Sequence, residues 1–154
     1  LEVTKELVAE SGYGDRVHLM PGDYLTSAFG TGFDLVLMSG MMHRESHDSV
    51  ALLLRKAFDA LEPGGMLIVS DVFFDDDTKR TPPFAVYFAL NMMLTSDDGS
   101  AHAKTEMARW MGETGAKPGP TPTGAPGTGA TEDDPARRVA AAGSRESLSG
   151  QLLS

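Results

Sequence analysis

The chain contains no cysteine, which excludes disulfide frameworks and thiolate metal sites. Basic residues are scarce: 13 Lys and Arg stand against 22 Asp and Glu, a formal net charge of -9. A surface that tracks phosphates needs clustered cations, so the acidic balance argues against a nucleic-acid partner. Long apolar runs are missing too. The longest near-apolar stretch, Phe84 to Leu94, is interrupted by Asn91 and falls short of the roughly 20 residues that span a bilayer. No cationic-then-apolar leader opens the chain, and the expectation is a cytoplasmic protein without a membrane partner. The first residue is Leu1 rather than Met, inside a helical pattern, so sequence upstream is expected to have been lost.

What is present reads as alternating elements. Val3, Leu7 and Val8 fall on one helical face, and Gly12 is a plausible stop. Val17 to Met20 reads as a short strand, broken by Pro21-Gly22-Asp23-Tyr24. Residues 33 to 38 form a second strand, continuously apolar after Asp34, as expected for a strand covered on both faces. Ser46 or Asp48 can cap a helix that carries Val50, Leu53, Leu54, Ala57, Phe58 and Leu61 at helical spacing. Pro63-Gly64-Gly65 ends it, and Met66 to Val72 is the third strand. Strand, helix, strand implies a βαβ crossover within a parallel, doubly wound α/β layer structure. Asp75-Asp76-Asp77 falls in the next loop, and Pro82-Pro83 starts a helix over 84–94. A turn at 97–100 leads to a shorter helix with Met107, Trp110 and Met111.

From Gly115 to Gly129 the chain holds only Gly, Ala, Pro, Thr and one Lys. Such a segment cannot offset an ordering entropy of about 1–2 kcal/mol per residue. Residues 1–114 are therefore expected to fold, and residues 115–154 to form a disordered low-complexity tail. Three strands make a thin sheet for this class, so the expected sheet is a truncated one.

Two strand exits on this sheet hold groups that handle protons. His43 follows the 33–38 strand, and Asp71 closes the strand after the helix. His43 and His47 stand four apart as in zinc helices, but Arg44 occupies the position where that pattern needs Glu. The consecutive side chains of Asp75 to Asp77 diverge, and a solvated acidic loop is the expectation. No metal site is expected. A nicotinamide-dependent enzyme would share the βαβ pattern, yet no Gly-x-Gly-x-x-Gly follows a strand.

Taken in order, Gly-Asp-Arg-Val at 14–17, Pro-Gly-Asp-Tyr at 21–24, Phe-Asp-Leu-Val-Leu at 33–37, Met-Met-His at 41–43, Leu-Leu-Arg-Lys-Ala at 53–57, Ala-Leu-Glu-Pro-Gly-Gly at 60–65 and Leu-Asn-Met-Met at 90–93 form a specific set. Residues 1–114 resemble the S-adenosylmethionine-dependent O-methyltransferases that act on small hydroxylated metabolites. The resemblance implies a Rossmann-like class I methyltransferase fold, with S-adenosyl-L-methionine as cofactor. It implies that His43 is the catalytic base. A neutral imidazole, of unperturbed pKa about 6.5, can take the proton of a phenol or alcohol near pH 7. Asp71 would orient that imidazole, and a carboxylate there would also stabilise the imidazolium.

By the same resemblance, Asp23 and Tyr24 would contact the adenine: the carboxylate would accept from the exocyclic amine, and the ring would pack on the purine face. Ser39 would lie against the cofactor, although relatives often carry Lys there. Asn91 and Met92 would line the pocket of a small, hydroxylated, aromatic acceptor. Arg44-Glu45 stands where the family often has Asp-Trp, and Ala103 precedes Lys104-Thr105 where it often has an acid. The glycine-rich loop for the cofactor's methionine carboxylate would lie upstream of Leu1. Full-length relatives are expected to be homodimers through a domain absent from this chain. A second reading is a non-catalytic, truncated or frameshifted product that retains only part of this fold.

Overall fold

The computed structural model describes residues 2–117 and, as backbone alone, residues 139–141. Helix α1 (Glu2–Glu10) buries none of its residues, and Val3 and Leu7 stay exposed on it. The centre is the expected βαβ unit: strand β1 (Phe33–Ser39), helix α2 (His47–Asp59) and strand β2 (Leu61–Ser70). β1 and β2 pair in parallel, from Leu35 opposite Met66 to Ser39 opposite Ser70. Ser46 is the N-cap of α2, its hydroxyl accepting the Ser49 N–H at 3.3 Å. Val50, Leu53, Leu54 and Ala57 form the buried stripe of the helix and pack on Val36 and Met38 of β1. Burying each of the larger side chains stabilises the fold by about 1.5–3 kcal/mol.

α2 stops at Asp59, short of the expected Pro-Gly-Gly stop. The Ala60 carbonyl accepts the Phe33 N–H at 3.2 Å, and Leu61 already pairs with Phe33. The sheet thus claims the chain before Pro63 is reached. Pro63-Gly64-Gly65 lies within β2, at the register shift between Phe33 and Leu35. Gly64 has φ +88° there, and a Cβ on Gly65 would come within 3.0 Å of the Glu62 carbonyl oxygen. That turn needs glycine at both positions.

A further expectation changes at residues 17–20. Residues 17–20 are not a strand, and Val17 and Met20 are exposed. Both edges of β1 are already occupied, by β2 and by a short strand β5 (Val139–Ala141), which pairs in parallel from Leu35–Val139 to Leu37–Ala141. Residues 17–20 therefore have no edge of β1 on which to pair. Within the tail expected to be disordered, β5 supplies three residues that satisfy this edge of β1 with backbone alone. For 118–138 and 142–154 that expectation lies outside the described residues. Residues 115–117 are described, and a Cβ on Gly115, which has φ +95°, would meet the Phe58 ring at 3.6 Å.

The C-terminal half of residues 2–117 covers the exit ends of β1 and β2. Strand β3 (Phe73–Phe74) pairs in parallel with β4 (His102–Ala103). Between them runs α3 (Pro83–Thr95), which buries only Ala85 and Ala89. α4 (Lys104–Glu113) packs Met107 and Trp110 on α2, and Arg55 donates to the Glu113 carbonyl at 3.1 Å. The acidic loop is tied to the start of α4: Asp75 pairs with Lys104 at 2.6 Å, and Asp77 accepts from the Thr105 hydroxyl.

Candidate active site

β1 and β2 end side by side, Ser39 opposite Ser70. Gly40, at φ +62°, turns the chain while its N–H bonds the Ser70 carbonyl at 2.9 Å. A 3-10 turn over Met42–Arg44 follows. Met41 and Met42 are fully buried and root this turn, leaving the His43 side chain 15% exposed beside Asp71.

Asp71 organises the site. Its Oδ1 lies 2.7 Å from His43 Nδ1 and accepts the Val72 N–H at 2.8 Å. Its Oδ2 accepts the N–H groups of Met42 at 2.9 Å and His43 at 3.2 Å. The side chain is 3% exposed. Burial alone would push this carboxyl up, but the His43 bond, the backbone donors and the imidazole's charge outweigh it and hold Asp71 below the usual carboxylate range. An ionised carboxylate can only accept, so His43 Nδ1 carries a proton in this bond, and in the neutral ring Nε2 keeps its lone pair. That is the form of a histidine able to take a proton.

Three further contacts surround the His43 turn. The Phe88 ring meets the His43 ring edge to face, with centroids 4.8 Å apart. The Ser100 N–H donates to the His43 carbonyl at 2.9 Å. His102 Nε2 lies 3.0 Å from the Met42 carbonyl oxygen. Phe88 stands three and four residues before Asn91 and Met92 on α3, so all three share one helix face. The helix expected to line an acceptor pocket therefore does approach His43, with Asn91 exposed and Met92 half-buried.

The remaining expected residues fall differently. Asp23 is exposed; its Oδ1 accepts the Leu25 N–H at 2.8 Å, leaving Oδ2 open to a donor. Ser39 is exposed at the end of β1. Tyr24, by contrast, is 6% exposed and belongs to the core around α2. Its hydroxyl donates to the buried Glu45 carboxylate. Its ring packs in that core, and a buried phenol needs a partner, which Glu45 supplies. Phe88, Ser100 and His102 have no role in the sequence reading, and Glu45 figures there only as a departure from the family pattern. Helical spacing from Asn91 could have found Phe88; the others depend on approaches across 21 to 60 residues. Among the described residues, no group of three or more His, Cys, Asp and Glu could hold a metal ion.

A parallel α/β sheet with a His–Asp pair at its strand exits defines the class: a Rossmann-like fold with an acid–base site beside the sheet edge. The O-methyltransferase domain family matches residues 2–117. The chain is similar to the tetracenomycin polyketide synthesis 8-O-methyl transferase TcmO of Streptomyces glaucescens, 31% identical over 101 residues, covering 66% of this chain and 29% of that protein. The solved structure of the S-adenosylmethionine-dependent methyltransferase SibL superposes with a TM-score of 0.65 at 32% identity, covering 79% of this chain and 38% of that one. That of PigF with SAH gives a TM-score of 0.66 at 25% identity, covering 74% and 38%.

The chain belongs to the O-methyltransferase domain family, and its fold is that of the class I S-adenosylmethionine-dependent methyltransferases. It spans between 29% and 38% of the length of these relatives. The residues present fit the adenosine end of S-adenosylmethionine: the Asp23 carboxylate has an open oxygen, and Ser39-Gly40 forms an exposed strand exit. A Cβ on Gly40 would meet nothing within 4 Å, so the backbone there is open to approach.

Proposed function

We propose that this chain carries the acid–base half of an S-adenosylmethionine-dependent O-methyltransferase that methylates a hydroxyl of a small aromatic metabolite. The observation that carries this reading is the buried Asp71 carboxylate, 2.7 Å from His43 Nδ1. S-adenosylmethionine supplies an electrophilic methyl group on a sulfonium when bound. An acceptor hydroxyl is a poor nucleophile while it keeps its proton, and His43 Nε2 removes that proton as the oxygen attacks. Asp71 holds the ring in this tautomer and stabilises the imidazolium that forms. Phe88, Asn91 and Met92 present the acceptor's aromatic body to His43, and Asp23 and Ser39 contact the adenosine. Tyr24 shapes the Asp23 loop from beneath.

The net charge of -9 and the absence, among the described residues, of a helix able to cross a membrane favour a small-molecule acceptor in a cytoplasmic setting. Residues 1–114 are read as part of a catalytic domain whose full-length form is a homodimer through sequence outside this chain.

The test uses the full chain with S-adenosylmethionine carrying a labelled methyl group and a panel of phenols. His43→Ala is expected to lower methyl transfer by about 10²–10⁴-fold while S-adenosylhomocysteine binding by calorimetry stays within a few-fold. Unchanged transfer in His43→Ala, or no binding by the parent chain, would overturn the proposal.

A further inference from the structure

The turn that carries His43 is held on two sides. Asp71 takes its N–H groups and the imidazole. Its carbonyls are reached by one short segment: the Ser100 N–H bonds the His43 carbonyl at 2.9 Å, and His102 Nε2 lies 3.0 Å from the Met42 carbonyl oxygen, which also accepts the Glu45 N–H at 3.2 Å within the turn. A carbonyl can only accept, so His102 must donate from Nε2. His102 is 3% exposed, and its Nδ1 is buried with no hydrogen-bond partner. Both nitrogens protonated would bury an unpaired charge, so the ring is neutral and its tautomer is set. Burial is the main influence that lowers the basicity of His102, with His47 and Lys79 acting in the same direction against the Met42 bond and Glu106. The ring is packed edge-on to Trp110, with centroids 5.3 Å apart, and the His47 ring lies 5.7 Å away.

An orphaned buried nitrogen costs about 1–3 kcal/mol. Met or Leu would fill the same space without that cost, so packing alone does not account for histidine here. The one thing the imidazole adds is the donor to Met42. We propose that His102 is a positioning residue for His43. Through the Met42 carbonyl it holds the 3-10 turn at the height where His43 Nδ1 meets Asp71, while Asp71 secures the same turn by its N–H groups. The role of this contact in methyl transfer rests on His43 being the general base. The mechanical coupling between His102 and the His43–Asp71 bond does not.

The experiment is proton and nitrogen NMR of the full chain, together with methyl-transfer kinetics. The low-field Nδ1 proton of His43 is assigned by its loss in Asp71→Asn. In His102→Leu that resonance is expected to shift upfield or broaden, and kcat to fall by up to about 10²-fold, the scale of a misplaced reacting group, with KM for the methyl donor unchanged. His102→Gln places an amide N–H where imidazole Nε2–H stood and should restore both readings. His102→Asn, the same amide on a shorter stem, should restore neither. A folded His102→Leu with an unmoved resonance would overturn the proposal, as would equal rescue by Asn and Gln. Should His102→Leu fail to fold, the Gln-against-Asn comparison still decides. A resonance that responds as expected in a chain with no methyl transfer would support the coupling and overturn the enzymatic reading alone.

Discussion

Asp71 accepts four hydrogen bonds on two oxygens, and this residue was legible in the sequence because it closes the strand that follows a βαβ helix. Its environment has a consequence in acid. The folded carboxyl titrates below its ordinary value, so as pH falls the unfolded chain binds the proton first. The stability Asp71 contributes is present above about pH 4 and is lost as pH drops through the folded value. Glu106 and Asp75 are also lowered and share that window: burial opposes the shift at Glu106, which the Ala103 N–H and Lys79 produce, and Lys104 produces the one at Asp75. His102 acts higher. Its folded value lies below the ordinary histidine range, so the unfolded chain takes up a proton first as pH falls through about 6.5, and stability declines from there. Urea midpoints at pH 8, 5 and 3 should therefore fall in two steps, with His102→Gln removing the first and Asp71→Asn reducing the second. A midpoint that stays level from pH 8 to 5 would contradict the buried, neutral state of His102.

At the scale of elements, the informative joint is between the 21–29 loop and α2. Lys56 Nζ donates to the carbonyls of Tyr24 and Leu25 and sits 4.6 Å from the centre of the Phe29 ring. Tyr24 closes the other side through Glu45, two residues past His43. The loop bearing Asp23 is thus fastened to the same stretch that carries the base, which gives the site a fixed span between its two ends. Tyr24→Phe removes one hydroxyl and leaves the Glu45 carboxylate buried without that donor. The expected loss is about 1–3 kcal/mol or somewhat more for a charged group, read as a lower thermal midpoint, with part recovered by adding Glu45→Met. A change within about 0.5 kcal/mol would show that the carboxylate finds another donor. The sequence placed the α2 stripe and narrowed its cap to Ser46 or Asp48 because helical periodicity and capping are local. It misplaced the helix end and did not reveal the Tyr24–Glu45 bond, because backbone pairing to Phe33 and a partner 21 residues away leave no local pattern.

Over the whole molecule, the described sheet is narrow, and β1 carries it. Only three residues of β5 cover its second edge. Truncation after Lys117 should uncover the N–H and C=O groups of Leu35 to Leu37 on that side and lower the urea midpoint of the remaining chain. An unchanged midpoint would mean that water serves that edge as well as β5 does. The sequence by itself determined the α/β class, the βαβ centre and the two strand exits, because each is written in periodicities and turn residues that act over a few positions, and its ordered set of motifs carried the resemblance to the family. Tertiary structure alone decided which strand covers the far edge of β1, which aromatic ring is core, and which groups hold the His43 turn by its carbonyls. Those are outcomes of satisfying buried polar groups with whatever the fold brings near, and such partners are chosen in space rather than along the chain.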